Sequence, residues 1–275
     1  MVTFAANISI LFPRLPFLDR IPAARAAGFD AIEFWWPAAS ELEDRSLDDL
    51  VAAIRQSSLQ VGLINFDAGD MRAGDRGLAA DPQRSGDFRA NIPVAIDLAR
   101  RLGCRKLNAL AGNVRDDGSR TGQREELVRN LRLAADAARV AGMSVMLEAL
   151  NPKDTPKYLL PNADIALQLI KEVARPNVRY QLDTYHVAMA GDDIIEVLGR
   201  VAPVLGHVQI ADAPGRHEPG TGVLALNTFL ASLLEVGYED YVGLEYQPTD
   251  PEHPDFAYLP RLTRWNATHT QEVSL

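Results

Sequence analysis

Apolar residues in this chain fall into short runs, separated by longer stretches where they recur at helical spacing. One phrase repeats: a helical stretch ends in an apolar residue plus Gly, and about three residues later a new apolar run begins. Ala27-Gly28 leads into Ala31-Ile32-Glu33-Phe34, and Leu102-Gly103 into Lys106-Leu107-Asn108-Ala109-Leu110. Ala141-Gly142 leads into Val145-Met146-Leu147-Glu148, and Val236-Gly237 into Tyr241-Val242-Gly243-Leu244-Glu245. The phrase predicts a helix closed by a left-handed glycine, a tight loop and a buried strand. Further apolar, mostly non-alternating runs at 4–10, 60–66, 178–183 and 206–211 read as strands covered on both faces. Helical patterns occupy 91–102, 121–140, 162–173 and 226–236, and another opens at Ser46 with acids in its first turn.

Eight strands alternating with helices in 275 residues predict an α/β fold, a single (β/α)8 TIM barrel domain spanning 1–275. A doubly wound sheet competes, but the first strand is not followed by a Gly-rich dinucleotide fingerprint. Three connections after strands, at 67–84, 110–122 and 211–222, belong to the face where barrel strands end. Gly69, Gly74 and Gly77, with Asp70, Arg72, Asp75 and Arg76 among them, suggest a mobile cover over that face. From about 250 to 275 the chain is rich in Pro and aromatics, an extension expected to pack on the barrel or on a partner subunit in a homo-oligomer.

Composition narrows the function. Lys plus Arg is 28 against 37 Asp plus Glu, and a net charge of −9 opposes a nucleic-acid-binding surface. A single Cys excludes an intrachain disulfide and a cysteine-rich metal site. With no basic leader and no apolar run of spanning length, the expected location is the cytoplasm, away from any membrane.

Barrel active sites lie at the C-terminal strand ends. Glu148, Asp183 and Glu245 end three of the last four predicted strands, and Gln209 lies near the end of the other. These residues are separated by 35, 26 and 36 positions, about one βα unit each, so their side chains can converge. A lone acid at a strand end is usually a cap or an ion-pair partner; four polar groups on successive strands are harder to explain that way. Three carboxylates crowded together repel one another, and a divalent cation resolves the repulsion. Three carboxylates and an amide oxygen form a hard ligand set suited to Mg2+ or Mn2+. Glu148 and Glu245 could also serve as a catalytic acid/base pair for proton abstraction beside a carbonyl, by way of a cis-enediolate. His186, three residues beyond Asp183, and Arg216 and His217, in the loop after the seventh strand, are candidate substrate contacts; the last two suit a carboxylate. His207 is expected to pack within its strand, and His253 and His269 to lie at the surface.

Several phrases together resemble the hydroxypyruvate isomerase family of the xylose-isomerase-like barrel superfamily. They are Phe4-Ala5-Ala6-Asn7-Ile8-Ser9, Leu147-Glu148-Ala149-Leu150-Asn151, Gln181-Leu182-Asp183-Thr184-Tyr185-His186, His207-Val208-Gln209-Ile210-Ala211-Asp212 and Gly215-Arg216-His217-Glu218-Pro219-Gly220. The resemblance implies interconversion of hydroxypyruvate and tartronate semialdehyde. It also implies a metal held by Glu148, Asp183, Gln209 and Glu245, and substrate contacts at His186 and Arg216. Phe34-Trp35-Trp36-Pro37 and Glu245-Tyr246-Gln247-Pro248-Thr249-Asp250 depart from the family's usual wording, and two Trp rings at a strand exit could stack on a larger substrate. A four-carbon 2-oxo-tetronate isomerase and a ketose 3-epimerase are therefore alternatives on the same metal site. An apurinic endonuclease needs a His-rich zinc site that this chain lacks, and a non-enzymatic sugar-acid-binding barrel would not need both acids.

Overall fold

The computed structural model describes residues 2–42, 44–116 and 119–259. Eight strands, β1 (Thr3–Asn7), β2 (Ala31–Phe34), β3 (Gln60–Asn65), β4 (Lys106–Asn108), β5 (Ser144–Glu148), β6 (Val178–Asp183), β7 (Leu205–Ile210) and β8 (Tyr241–Leu244), form a closed barrel. Each pairs in parallel with the next, and β1 closes the ring on β8. Around them run α1 (Arg20–Ala26), α2 (Ala39–Leu42), α3 (Leu47–Ser57), α4 (Ser85–Leu102), α5 (Arg120–Val140), α6 (Ala163–Val173), α7 (Thr184–Ala190), α8 (Ile194–Val201) and α9 (Leu226–Glu235). This is a (β/α)8 TIM barrel. Among the described residues no helix is long and apolar enough to cross a membrane.

The repeated phrase folds as its glycines require. Gly28, Gly103, Gly142 and Gly237 have φ of 94°, 72°, 70° and 79°, the left-handed region that lets the chain leave a helix and enter a strand within a few residues. Ser46 caps α3 in a reciprocal box, accepting from the Asp49 N–H at 3.2 Å while its own N–H donates to the Asp49 carboxylate at 2.8 Å. Strand residues such as Ile32, Leu107, Val145, Leu182 and Val242 share one buried apolar core with helix residues such as Ile54, Leu98, Leu131 and Leu233.

Some boundaries differ from the sequence pattern. β1 stops at Asn7 rather than residue 10, because the Asn7 side chain accepts from the Ser9 N–H and its carbonyl from Leu11, turning the chain. α4 begins at Ser85, so Pro93 lies inside it rather than near its start. Two helices, α7 and α8, were hidden between β6 and β7. Their N-caps are Asp183, which the sequence reads as a strand end, and Asp193, which looks like an ordinary loop acid. The described part of the C-terminal extension packs on its own barrel: Phe256 lies 5.3 Å from Phe12 and 5.4 Å from Phe29, and Tyr258 bonds Tyr246. Residues 260–275, including Trp265 and His269, lie outside the described residues.

The barrel interior is polar where the strands end. Glu33 on β2 meets His207 on β7 at 2.8 Å, a contact that crosses the lumen because these strands are not neighbours. Gly243 on β8 leaves room for it: a Cβ there would lie 2.3 Å from a Glu33 carboxylate oxygen. Gly243→Ala should therefore cost about 1–3 kcal/mol, read as a lower denaturant midpoint at unchanged slope.

Candidate active site

Strand register levels the site. Asn7 pairs with Glu33, Glu148 with Gln181, Asp183 with Gln209, and Gln209 with Gly243. The four predicted ligand residues consequently meet in one buried network. Gln181 Nε2 donates to Glu148 Oε2 at 3.1 Å and to Gln209 Oε1 at 2.7 Å. Gln209 Nε2 donates to Glu245 Oε2 at 2.6 Å and to Glu33 Oε1 at 2.5 Å. Arg216 Nη2 joins Glu245, at 2.6 Å, to Asp183, at 3.1 Å, and its guanidinium lies over the Tyr185 ring at 5.1 Å. Asp183 does double duty: Oδ1 caps α7 by accepting from the Tyr185 N–H, and Oδ2 faces Arg216. The same helix start carries His186, with Nε2 3.7 Å from Asp183 Oδ2.

Burial controls the electrostatics. Glu148 is held well above the usual carboxylate range, by burial first and then by the charges of Glu245 and Asp183. Burial pushes Asp183 up to about 7 against the opposing charge of Arg216, and it raises Glu245 against the same charge. Burial disfavours the Arg216 charge, yet Glu245, Asp183 and Glu148 outweigh it and hold the guanidinium above its usual range. The His186 imidazole is kept neutral, its pKa well below normal through burial and the charges of Arg216 and Arg76. Its Nδ1 accepts from the Asn151 backbone N–H at 3.2 Å, so its proton sits on Nε2, where it can donate to an oxygen.

Ligand atoms of Glu148, Asp183 and His186 lie within 4.8 Å of one another, so this buried group could hold a metal. The chemistry of the donors fits a hard divalent cation. Glu148, Asp183 and Glu245 crowd together with pKa values raised by burial and by one another, an arrangement that a divalent charge would relieve. Both hydrogen bonds to Glu148 fall on Oε2, which leaves Oε1 for the cavity that the residue lines. The protonated His186 Nε2 is a donor rather than a ligand. Gln209 Oε1 accepts one hydrogen bond, from Gln181, and keeps a second lone pair for a cation.

The cavity above this network measures about 340 Å3 and is lined by Trp35, Arg76, Glu148, Asp154, Tyr185, His186, Arg216 and Glu245, among others. His217 is not part of that lining; its ring turns to the Gln247 carbonyl at 2.8 Å. His207 lies within its strand, fully buried, and His253 is exposed.

The profile of the xylose isomerase-like TIM barrel family matches residues 21–265. The chain belongs to that family. A Streptomyces coelicolor relative provisionally named hydroxypyruvate isomerase is 44% identical, the match covering 94% of this chain and 95% of the relative. The 2-oxo-tetronate isomerase of Cupriavidus necator is 38% identical, with 90% and 94% covered. The hydroxypyruvate isomerase of Escherichia coli is 35% identical, again with 90% and 94% covered. Within the xylose isomerase-like barrels this chain is thus an isomerase.

The sequence pattern did not single out Glu33, Asn7, Asn108 or Gln181, and it read Trp35 as a stacking surface rather than as a donor to Glu245. Asn7 donates to Glu33 at 3.1 Å and to Glu245 at 2.7 Å; Asn108 donates to Glu148 at 3.1 Å. The Trp35 indole N–H reaches Glu245 at 3.4 Å. A signal was present: Asn7, Glu33, Asn65 and Asn108 are the last or next-to-last residues of β1 to β4, a polar residue ending each apolar run.

Glu33 carries a stability prediction. Burial raises its pKa from 4.5 to about 7. The folded state therefore holds its proton more tightly than the unfolded chain. That stabilisation is complete below about pH 4.5 and is lost as pH rises through about 7, a span worth on the order of 3 kcal/mol. Chelator-treated protein should melt at a higher temperature at pH 5.5 than at pH 8, and Glu33→Gln, which mimics the protonated form, should flatten the difference.

Proposed function

We propose that the protein interconverts short 2-oxo acids and their aldehyde isomers, hydroxypyruvate and tartronate semialdehyde first, by proton transfer between adjacent carbons. One observation carries the reading: two buried carboxylates, Glu148 on β5 and Glu245 just past β8, line the same small cavity from positions three strands apart around the ring. A substrate carbon pair between them can lose a proton on one side and regain one from the other.

Their surroundings divide the work. Glu245 receives donors from Asn7, Gln209, Trp35 and Arg216, an environment built for its anion. Glu148 receives only two amides and resists ionisation more strongly. Glu245 takes the proton from the hydroxymethyl carbon C3, the carbonyl gathers the electron pair through a cis-enediolate, and Glu148 delivers a proton to C2. A proton shifts from the C3 oxygen to the C2 oxygen, so the product is an isomer of the substrate. His186 Nε2–H donates to a substrate oxygen, and Arg216 holds Asp183 and Glu245 in place and favours their ionised forms against burial.

Glu148, Asp183, Gln209 and Glu245 would hold an Mg2+ or Mn2+ ion. Bound there, it supplies the positive charge that makes the enediolate accessible at neutral pH.

A four-carbon 2-oxo-tetronate is the second reading. A wider cavity of about 760 Å3, lined by Trp35, Trp36 and Arg72, shares Trp35 and Met71 with the catalytic cavity and offers room for a longer chain. Incubation in D2O with hydroxypyruvate, 2-oxo-tetronate and neutral ketoses separates these readings. Deuterium entering the α-carbon of the acids supports the proposal, and exchange confined to ketoses overturns it.

A further inference from the structure

We propose that Arg76 is the residue that binds the substrate carboxylate, and that it selects acids over neutral sugars. This inference rests on the 2-oxo-acid reading and gives it a binding group. The cavity is lined by two guanidinium groups, Arg216 and Arg76. Arg216 is committed to protein carboxylates, at 2.6 Å from Glu245 and 3.1 Å from Asp183. Arg76 has no carboxylate in ion-pair range among the described residues. Asp75 beside it is engaged elsewhere, by Arg84 at 2.6 Å and by the Asp70 N–H at 2.8 Å.

Arg76 is also held in place. Its Nη1 donates to two backbone carbonyls of its own loop, Met71 at 3.0 Å and Asp75 at 2.6 Å. The next residue, Gly77, has φ of 109° and packs so closely on the Leu110 carbonyl that a Cβ would lie 2.1 Å from its oxygen. Its N–H donates to the Ala68 carbonyl at 3.0 Å. The loop expected from its glycines to be a mobile cover is therefore braced around this arginine. With Nη1 anchored, the Nε–Nη2 edge has no partner among the described residues, and that edge is the two-pronged donor that matches a carboxylate.

Charge fixes the orientation. Glu148 and Glu245 line the cavity at the strand ends and Arg76 lines it from the loop after β3, so a substrate carboxylate is drawn to that guanidinium. With its carboxylate on Arg76, a 2-oxo acid points its reacting carbons at the glutamate pair. A neutral ketose gains nothing from this contact.

Steady-state kinetics of Arg76→Ala and Arg76→Lys on hydroxypyruvate and 2-oxo-tetronate, with dihydroxyacetone exchange in D2O as the neutral control, test the assignment. Arg76→Ala should raise KM for the acids about 30-fold or more with kcat within about threefold, and leave dihydroxyacetone exchange unchanged. Arg76→Lys should recover part of the affinity, because it keeps the charge and loses the fork. Titration calorimetry with D-glycerate, a non-reacting acid, should follow the same order. An unchanged KM for the acids in Arg76→Ala would overturn the inference alone. Equal losses on acids and dihydroxyacetone, with no rescue by lysine, would also overturn it, reducing Arg76 to a brace for its loop. Wild-type protein inert toward every acid would overturn both this inference and the function it rests on.

Discussion

Replacing Glu245 by glutamine should lower isomerisation by about 10²–10⁴-fold while the barrel stays folded. Glutamine keeps an oxygen at the same place, so the loss reports proton transfer more than shape or ligation. Glu148→Gln should lose net turnover to a similar extent, but the two variants should differ in a partial reaction. With substrate deuterated at C3, Glu148→Gln still washes label into water, because Glu245 remains to abstract it, whereas Glu245→Gln does not. Thermal unfolding provides the control. Burial holds Glu148 well above its ordinary range, so Glu148→Gln should leave the chelated protein equally stable or more so. Glu245→Gln gives up the ion pair with Arg216 and should melt somewhat lower while staying folded. Turnover near wild type in either variant would eliminate the pair.

Exhaustive chelation should remove at least about 99% of the activity, with Mg2+ or Mn2+ restoring it and Ca2+ doing so poorly. The expectation follows from the floor of the cavity. Glu148 and Asp183 lie close enough to share one ion, and among the described residues Arg216 is the sole guanidinium paired with the group. Burial raises Asp183 to about 7, so near neutrality part of it carries a proton that a cation would displace. Adding the ion should release protons, measurable in weakly buffered solution near pH 7, and should raise the melting temperature most at pH 8, where the unneutralised carboxylates strain the fold hardest. Activity undiminished in chelator would sink the metal reading.

The alternation of elements was legible because a left-handed glycine leaves a recurrent mark, and Gly28, Gly103, Gly142 and Gly237 each sit where a helix yields to a strand. The four strand-end groups were legible for a similar reason: a polar residue closing an apolar run at barrel spacing has few structural excuses. What escaped was geometry that no spacing encodes. Asp183 caps a helix as well as facing Arg216, so α7 was hidden behind a residue already assigned a role. His217 follows Arg216 directly in sequence, yet Arg216 takes a positive φ of 54°; Arg216 lines the cavity while His217 turns to Gln247. Glu33 lies on β2, far along the chain from the acids it serves, and only closure of the sheet brings it to Gln209 and His207.

That closure has a practical consequence for anyone redesigning the catalyst. Because Gly243 yields its volume to Glu33, and Glu33 steers the amide that in turn orients Glu245, the working groups hang from a continuous polar column. Transplanting the four strand-end side chains onto a foreign scaffold with an aliphatic lumen would move the hands and leave the arm behind; a faithful graft has to carry the column, including the glycine on β8 that makes room for Glu33.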